Sequence, residues 1–180
     1  MTENIIIKEL SPKDINENSL DIFERYQKVD RGWVYKDTSW VLTDLNYEVD
    51  WDKTKKDNLI KYFQELLQTS KGHIFGAFIN NYVIGFSVLL NRKIGSEGQY
   101  IQLKYLHLSK NYRHKGIGKK LFQLCVEKTK EIGGSKIYIS ANDSEATQNF
   151  YLGIGCKDAE EIDLESAKAE PYDRQMEYIV

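Results

Sequence analysis

In Leu106-His107-Leu108-Ser109-Lys110-Asn111-Tyr112-Arg113-His114-Lys115-Gly116-Ile117-Gly118-Lys119-Lys120-Leu121 an apolar strand runs into a short polar turn, then into Arg-x-x-Gly-x-Gly, and a helix begins almost at once. Two glycines let a backbone approach a ligand closely and take conformations that a side chain forbids. The new helix aims its unpaired N–H groups and the positive end of its dipole at the same spot. Such a turn cradles a pyrophosphate, and Arg113, Lys115, Lys119 and Lys120 surround it with positive charge. A P-loop needs Gly-x4-Gly-Lys-Ser/Thr, but Gly118-Lys119 is followed by Lys120 and Arg113 holds the place of the first glycine. A dinucleotide fingerprint needs Gly-x-Gly-x-x-Gly, and Leu121 fills its third position.

Working outward, Lys136-Ile137-Tyr138-Ile139-Ser140 reads as a strand, and Asn149-Phe150-Tyr151-Leu152-Gly153-Ile154-Gly155-Cys156 follows it. Taken together, these segments resemble the GNAT superfamily of acyl-CoA-dependent N-acyltransferases. The first matches its Arg/Gln-x-x-Gly-x-Gly/Ala signature and the second its Phe-Tyr-x-x-x-Gly-Phe segment. The resemblance covers roughly residues 73–156.

The rest of the chain suits that reading. Its 180 residues are enough for one domain with a sizeable core, so residues 1–180 are taken as a single unit. A net charge of −2 argues against a global field for nucleic acid, whereas the local charge at 113–120 fits a small anion. Cys125 and Cys156 are the only cysteines, too few for a disulfide framework or a metal set, which points to a reducing, cytoplasmic setting. His73, His107 and His114 have no metal-ligand spacing. The start, Met1-Thr2-Glu3-Asn4-Ile5-Ile6-Ile7, lacks a basic leader, and no stretch reaches the ~20 apolar residues of a membrane span.

Element by element, Ile5–Ile7 is expected as a strand. Ser11-Pro12 is expected to start a helix running to about Lys28, and Asp52 to cap a second helix carrying Leu59, Ile60, Phe63, Leu66 and Leu67. His73–Asn80 and Tyr82–Asn91 form an expected hairpin turning at Asn80-Asn81. Gln99–Leu108 is a strand, Gly116–Glu131 a helix stopped by Gly133-Gly134, and Ser144–Leu152 a short helix. Gly155 to about Leu164 and Tyr172–Val180 read as two closing strands. The order β-α-α-β-β-β-α-β-α-β-β gives an α/β (α+β) fold. By the resemblance it is a mixed, mainly antiparallel sheet flanked by helices, with a splayed strand pair forming the acyl-CoA cleft.

The resemblance also implies roles. The cosubstrate is acetyl-CoA, no metal takes part, and attack on the thioester is direct. The strand Leu106-His107-Leu108 lies along the pantetheine, with the backbones of Leu106 and Leu108 bonding its amides. The N–H groups from Arg113 through His114, Lys115, Gly116, Ile117 and Gly118 to Lys119 hold the pyrophosphate, and the side chains of Arg113, Lys115, Lys119 and Lys120 add charge-assisted bonds to phosphates. Tyr151 falls on the family's general-acid tyrosine, which protonates or hydrogen-bonds the departing thiolate. Asn142 and Asn149 bond the pantetheine arm. The chain departs from the commonest pattern at Ser144, often asparagine, and at Cys156, usually aromatic. The strand positions where relatives often carry a basic Glu or His are Gln102 and Lys104, so the base is open between His107, Glu97 and relayed water.

The acceptor site in such proteins is built largely by the early helices, their connection and the closing strands. Here Trp33, Tyr35, Trp40, Tyr47 and Trp51 interleave with Asp37, Asp44, Glu48, Asp50 and Asp52, and no Lys or Arg occurs from 37 through 52. Aromatic faces with counter-charges suit a cationic amine. The expected acceptor is a small polycationic amine, such as a polyamine, an amino sugar or a streptothricin-like antibiotic, with Trp33, Tyr35, Trp40 and Asp37 as its binding residues. A protein N-terminal or lysine acetyltransferase and a non-catalytic acyl-CoA sensor are the alternatives. The protein is expected as a monomer or homodimer.

Overall fold

The computed structural model describes residues 4–180; Met1–Glu3 of the N-terminal stretch quoted above lie outside the described residues. Nine strands and four α-helices occur in the order β1 (Ile6–Glu9), β2 (Gln27–Lys36), β3 (Ser39–Val49), α1 (Lys53–Thr69), β4 (Gly72–Ile79), β5 (Tyr82–Ile94), β6 (Tyr100–Leu108), α2 (Ile117–Glu131), β7 (Lys136–Ala141), α3 (Glu145–Gly153), β8 (Lys157–Asp158), α4 (Leu164–Ala169) and β9 (Arg174–Ile179) among the described residues. Seven strands form one sheet in the order β1-β4-β5-β6-β7-β9-β8. Every neighbouring pair is antiparallel except β6 and β7.

Strand alternation divides the core into two layers. On one face α2 lays Ile117, Leu121, Phe122 and Cys125 against Phe75, Ala77, Ile84, Ile101 and Ile137. On the other, α1 lays Leu59, Phe63 and Leu66 against Ile74, Val83, Phe86 and Val88, with Leu20 and Phe23 joining them. Local signals act as their chemistry dictates. Asp52 caps α1 by accepting from the Lys55 N–H at 2.7 Å. Asn80 and Asn81 take φ of 47° and 70° at the β4–β5 turn, a conformation that asparagine tolerates.

The chain from 12 to 49 departs from the sequence reading. The expected helix to Lys28 is a three-residue 3-10 turn, Pro12–Asp14, after which Ile15 is extended. Ser11 and Asp14 bond each other there, which satisfies the cap without propagating a helix. The presumed connection is instead the hairpin β2–β3, closed by Asp37 and Thr38 at φ 47° and 72°. The expected strand from Gly155 to Leu164 is also corrected. Only Lys157 and Asp158 pair with β9. Asp163 then accepts from the Ser166 N–H at 3.0 Å and starts α4, a helix that the strand reading excluded.

Candidate active site

The central feature is a parting of strands. β6 and β7 pair in parallel register from Tyr100↔Lys136 to Leu103↔Ile139, and there the pairing stops. β6 runs on through Leu108 with β5 along its other side. A β-bulge marks the break: Tyr105 faces Val88 and Leu103 faces Leu89, so Lys104 is the extra residue, and such a residue bends and re-aims its strand. The backbone of Lys104–Leu108 therefore borders an opening on the β7 side.

The opening leads to the start of α2. Gly116 is the N-cap at φ 78°, and a Cβ placed there would meet nothing within 4 Å. It has no side chain to cap the helix, so the first N–H groups of α2 are left without a side-chain partner from the N-cap. Gly118 has a different task. A Cβ there would lie 3.4 Å from both Leu108 and Phe150, so its bareness lets the helix close on the strand. Lys115, Lys119 and Lys120 are exposed around this end, with the Lys115 ammonium 5.1 Å from the Tyr112 ring centre. His114, also exposed, stands at φ 61°.

Arg113 is turned elsewhere than toward a phosphate. Its Nε donates to the Leu108 carbonyl at 3.1 Å and one terminal nitrogen donates to the Arg25 carbonyl at 3.0 Å. The side chain braces the turn from within.

Tyr151 packs edge-on against Phe150 and Phe122, with ring centres 5.3 and 6.4 Å away. It is 6% exposed. Burial, helped by Cys156, Cys125 and Asp173, pushes its phenol well above the ordinary tyrosine range, so it stays protonated. Asn149, on α3, accepts from the Trp33 indole at 3.2 Å. Asn142 accepts from the Ser144 N–H at 3.2 Å, fixing the entry to α3.

The β2–β3 hairpin docks on that same entry. Trp33 donates its N–H to the Asp143 carbonyl at 2.8 Å and Gly32 bridges to Ser144. The approach needs glycine, because a Cβ at 32 would collide with the Asp143 carbonyl and with Leu45. The Tyr47 hydroxyl donates to the Asp143 carboxylate. Burial and that bond push the Tyr47 phenol well up. Of the other expected acceptor residues, Tyr35 packs edge-on to Trp40 at 5.3 Å, and Trp40 lies 4.6 Å beneath the Arg174 guanidinium. Asp37 is exposed at the hairpin tip. The hairpin thus brings Trp33 to Asn149 and leaves Asp37 and Tyr35 at its outer end. A shallow cleft of about 570 Å³ opens beside Val49, Asp50, Trp51, Asp52 and Lys55.

The candidate bases fare differently. His107 lies edge-on to Trp51, with ring centres 5.0 Å apart. Burial first, then Arg25, Arg113 and Lys55, push it down to about 3, too low to draw a proton from an ammonium at neutral pH. Gln102 is buried and donates to the Ser166 hydroxyl at 3.1 Å. Glu97 stands in the loop before Tyr100, at the far end of β6 from the parting.

Sequence reading missed Asp143, Glu170 and Asp173. Asp173 directly precedes β9, whose Arg174 pairs with Ala141 at the end of β7, so it sits at the mouth of the opening. Its backbone N–H donates to Glu170 at 3.1 Å, while its carboxylate makes no hydrogen bond or ion pair among the described residues. Burial, then Glu170 and Asp143, push it up to about 7, against the pull of Lys104. Nothing in the local sequence marks it; only the pairing of β9 with β7 brings it here.

A sequence model of the Acetyltransferase (GNAT) family matches residues 40–155. Among solved structures, a Bacillus anthracis protein assigned as a streptothricin acetyltransferase, in complex with acetyl coenzyme A, superimposes with TM-score 0.72. The two are 20% identical, over 98% of this chain and 99% of that one. A nourseothricin acetyltransferase superimposes with TM-score 0.65 at 12% identity, over 96% and 95% of the two chains. The PaiA N-acetyltransferase from Thermoplasma acidophilum, in complex with coenzyme A, gives 0.56 at 21% identity, over 98% and 99%. No curated protein matches the chain by sequence.

Proposed function

Because the chain belongs to the Acetyltransferase (GNAT) family, we propose that it carries an acetyl group from acetyl-CoA to a primary amine of a small cationic molecule by direct attack. The observation that carries this reading is the end of the β6–β7 pairing at Leu103↔Ile139, directly before the open N-terminus of α2. The residues present fit such a cosubstrate. The free edge of Lys104–Leu108 can pair with amide groups of an extended arm. The first N–H groups of α2, unobstructed above Gly116, can take a diphosphate, with Lys115, Lys119 and Lys120 as mobile counter-charges. Acetyl-CoA supplies the activated acetyl group as a thioester.

Tyr151 donates its hydroxyl hydrogen toward the leaving sulfur, a modest demand because a thiol of pKa about 8.5 leaves readily. Its raised pKa keeps that hydrogen in place at neutral pH. On the acceptor side, Asp143, Asp173 and Glu170 supply negative charge, and Tyr47 and Trp33 supply rings. An ammonium group gains from both. The two antibiotic acetyltransferases among the structural neighbours support a cationic acceptor of this kind. Screening polyamines, amino sugars and streptothricin-like antibiotics by thermal shift and turnover tests it. Acetylation of such amines is expected, and turnover confined to neutral or acidic amino acids rejects it.

A further inference from the structure

We propose that Asp173 is the catalytic base that takes the proton from the acceptor's ammonium group before attack. The assignment rests on the acetyl-transfer reading above and supplies what β6 lacks, since neither Gln102 nor Lys104 can serve. Three placements support it. Asp173 stands one residue before the Arg174↔Ala141 pair, where β7 ends beside the opening. It is half-buried, yet no donor among the described residues occupies its carboxylate, so it can accept a proton or a hydrogen bond from a ligand. Its backbone N–H donates to the Glu170 carbonyl at 3.1 Å, which fixes it in the turn before β9. Asp173 thus stands where β9 meets the end of β7, and Tyr151 is on α3, the helix that follows β7.

The charged and titratable groups around Asp173 come from every neighbouring element. Glu170 follows α4, Asp143 joins β7 to α3, Lys104 is the bulged residue of β6, Tyr151 is on α3 and Tyr47 on β3. Burial and the two carboxylates hold Asp173 up to about 7, so it is part-ionised at neutral pH and strong enough to accept. The step balances as follows. R–NH3+ gives one proton to Asp173, leaving R–NH2. The nitrogen lone pair forms the C–N bond to the acetyl carbon and the C–S bond breaks. The sulfur takes a proton through Tyr151, and the second nitrogen proton replenishes the phenol. Asp173 then releases its proton to solvent.

The test uses the full-length protein and an accepted alkylamine. Asp173→Asn is expected to lower kcat roughly 10²–10³-fold and to erase a rise in kcat/KM centred near pH 7, while the acetyl-CoA Kd by calorimetry moves less than about 2-fold. On a fluorinated analogue of the same amine, already neutral at assay pH, the loss should shrink at least tenfold. Asp173→Glu, which keeps a carboxylate, should restore part of the rate and the pH limb. Unchanged kcat and pH profile, a rise in KM alone, or an equal loss on both amines overturns the assignment. Wild-type protein that takes up no acetyl-CoA, or binds it and acetylates no amine, sinks the underlying reading instead, and this assignment with it.

Discussion

The Tyr47 hydroxyl donates to the Asp143 carboxylate, tying β3 of the hairpin to the loop between β7 and α3. The bond spans 96 positions of sequence and joins the two walls of the proposed acceptor site. A hydrogen bond to a charged group contributes about 1.5–3 kcal/mol. Tyr47→Phe should therefore lower stability by roughly 1–2 kcal/mol in urea unfolding and raise the acceptor KM. Acetyl-CoA affinity, set at the far side of the opening, should not change.

Gly32 offers a sharper perturbation of the same contact. Its backbone is pressed on the Asp143 carbonyl, and a methyl group has no room there. Overpacking of this kind costs about 1–3 kcal/mol. Gly32→Ala should tilt the hairpin away, lower the melting temperature and raise the acceptor KM about tenfold or more. Calorimetry with acetyl-CoA should give the wild-type Kd.

Tyr151→Phe keeps the ring that packs on Phe122 and Phe150 and deletes only the hydroxyl. The protein should fold and bind acetyl-CoA normally. Its kcat should fall about 10²-fold, the lower end of what general acid catalysis contributes. Steady-state kinetics beside a binding titration separates the two effects.

Arg113 tells bracing from phosphate binding. Two charge-assisted bonds to the Leu108 and Arg25 carbonyls hold the turn. Arg113→Ala should lower unfolding free energy by about 2–3 kcal/mol. A variant of unchanged stability that loses only acetyl-CoA affinity would instead make Arg113 a ligand residue.

The folded protein holds the Asp173 pKa above its ordinary 3.8, at about 7. Between those values the folded protein binds a proton that the unfolded chain has released. Stability from this group is fully present below about pH 4 and is lost as pH rises through 7. Asp173→Asn removes that dependence. The melting temperature of the variant relative to wild type should therefore climb between pH 4.5 and 8.

The sequence disclosed whatever local chemistry dictates. The glycine turn before α2, the Asn80-Asn81 hairpin, the Asp52 cap and the short helix after Ser144 all announce themselves within a few residues. The β2–β3 hairpin escaped because its turn, Asp37-Thr38, has neither glycine nor asparagine to signal a positive φ. Ser11-Pro12 is a sound helix start, but Asp14 closes the turn on Ser11 and the chain leaves extended. Arg113 belongs to the glycine signature, yet its side chain is fixed by two carbonyls, one of them 88 positions away. Asp173 reaches the site through strand pairing alone, which no spacing along the chain encodes.

The claim beneath all of this is that the parted β6–β7 edge and the α2 N-terminus hold acetyl-CoA. Titration calorimetry of the purified protein with acetyl-CoA measures it directly. Saturable one-to-one binding, weakened by Gly116→Ala because that residue stands at φ 78°, is the predicted result. No heat of binding at any accessible concentration, or binding that ignores Gly116, would contradict it.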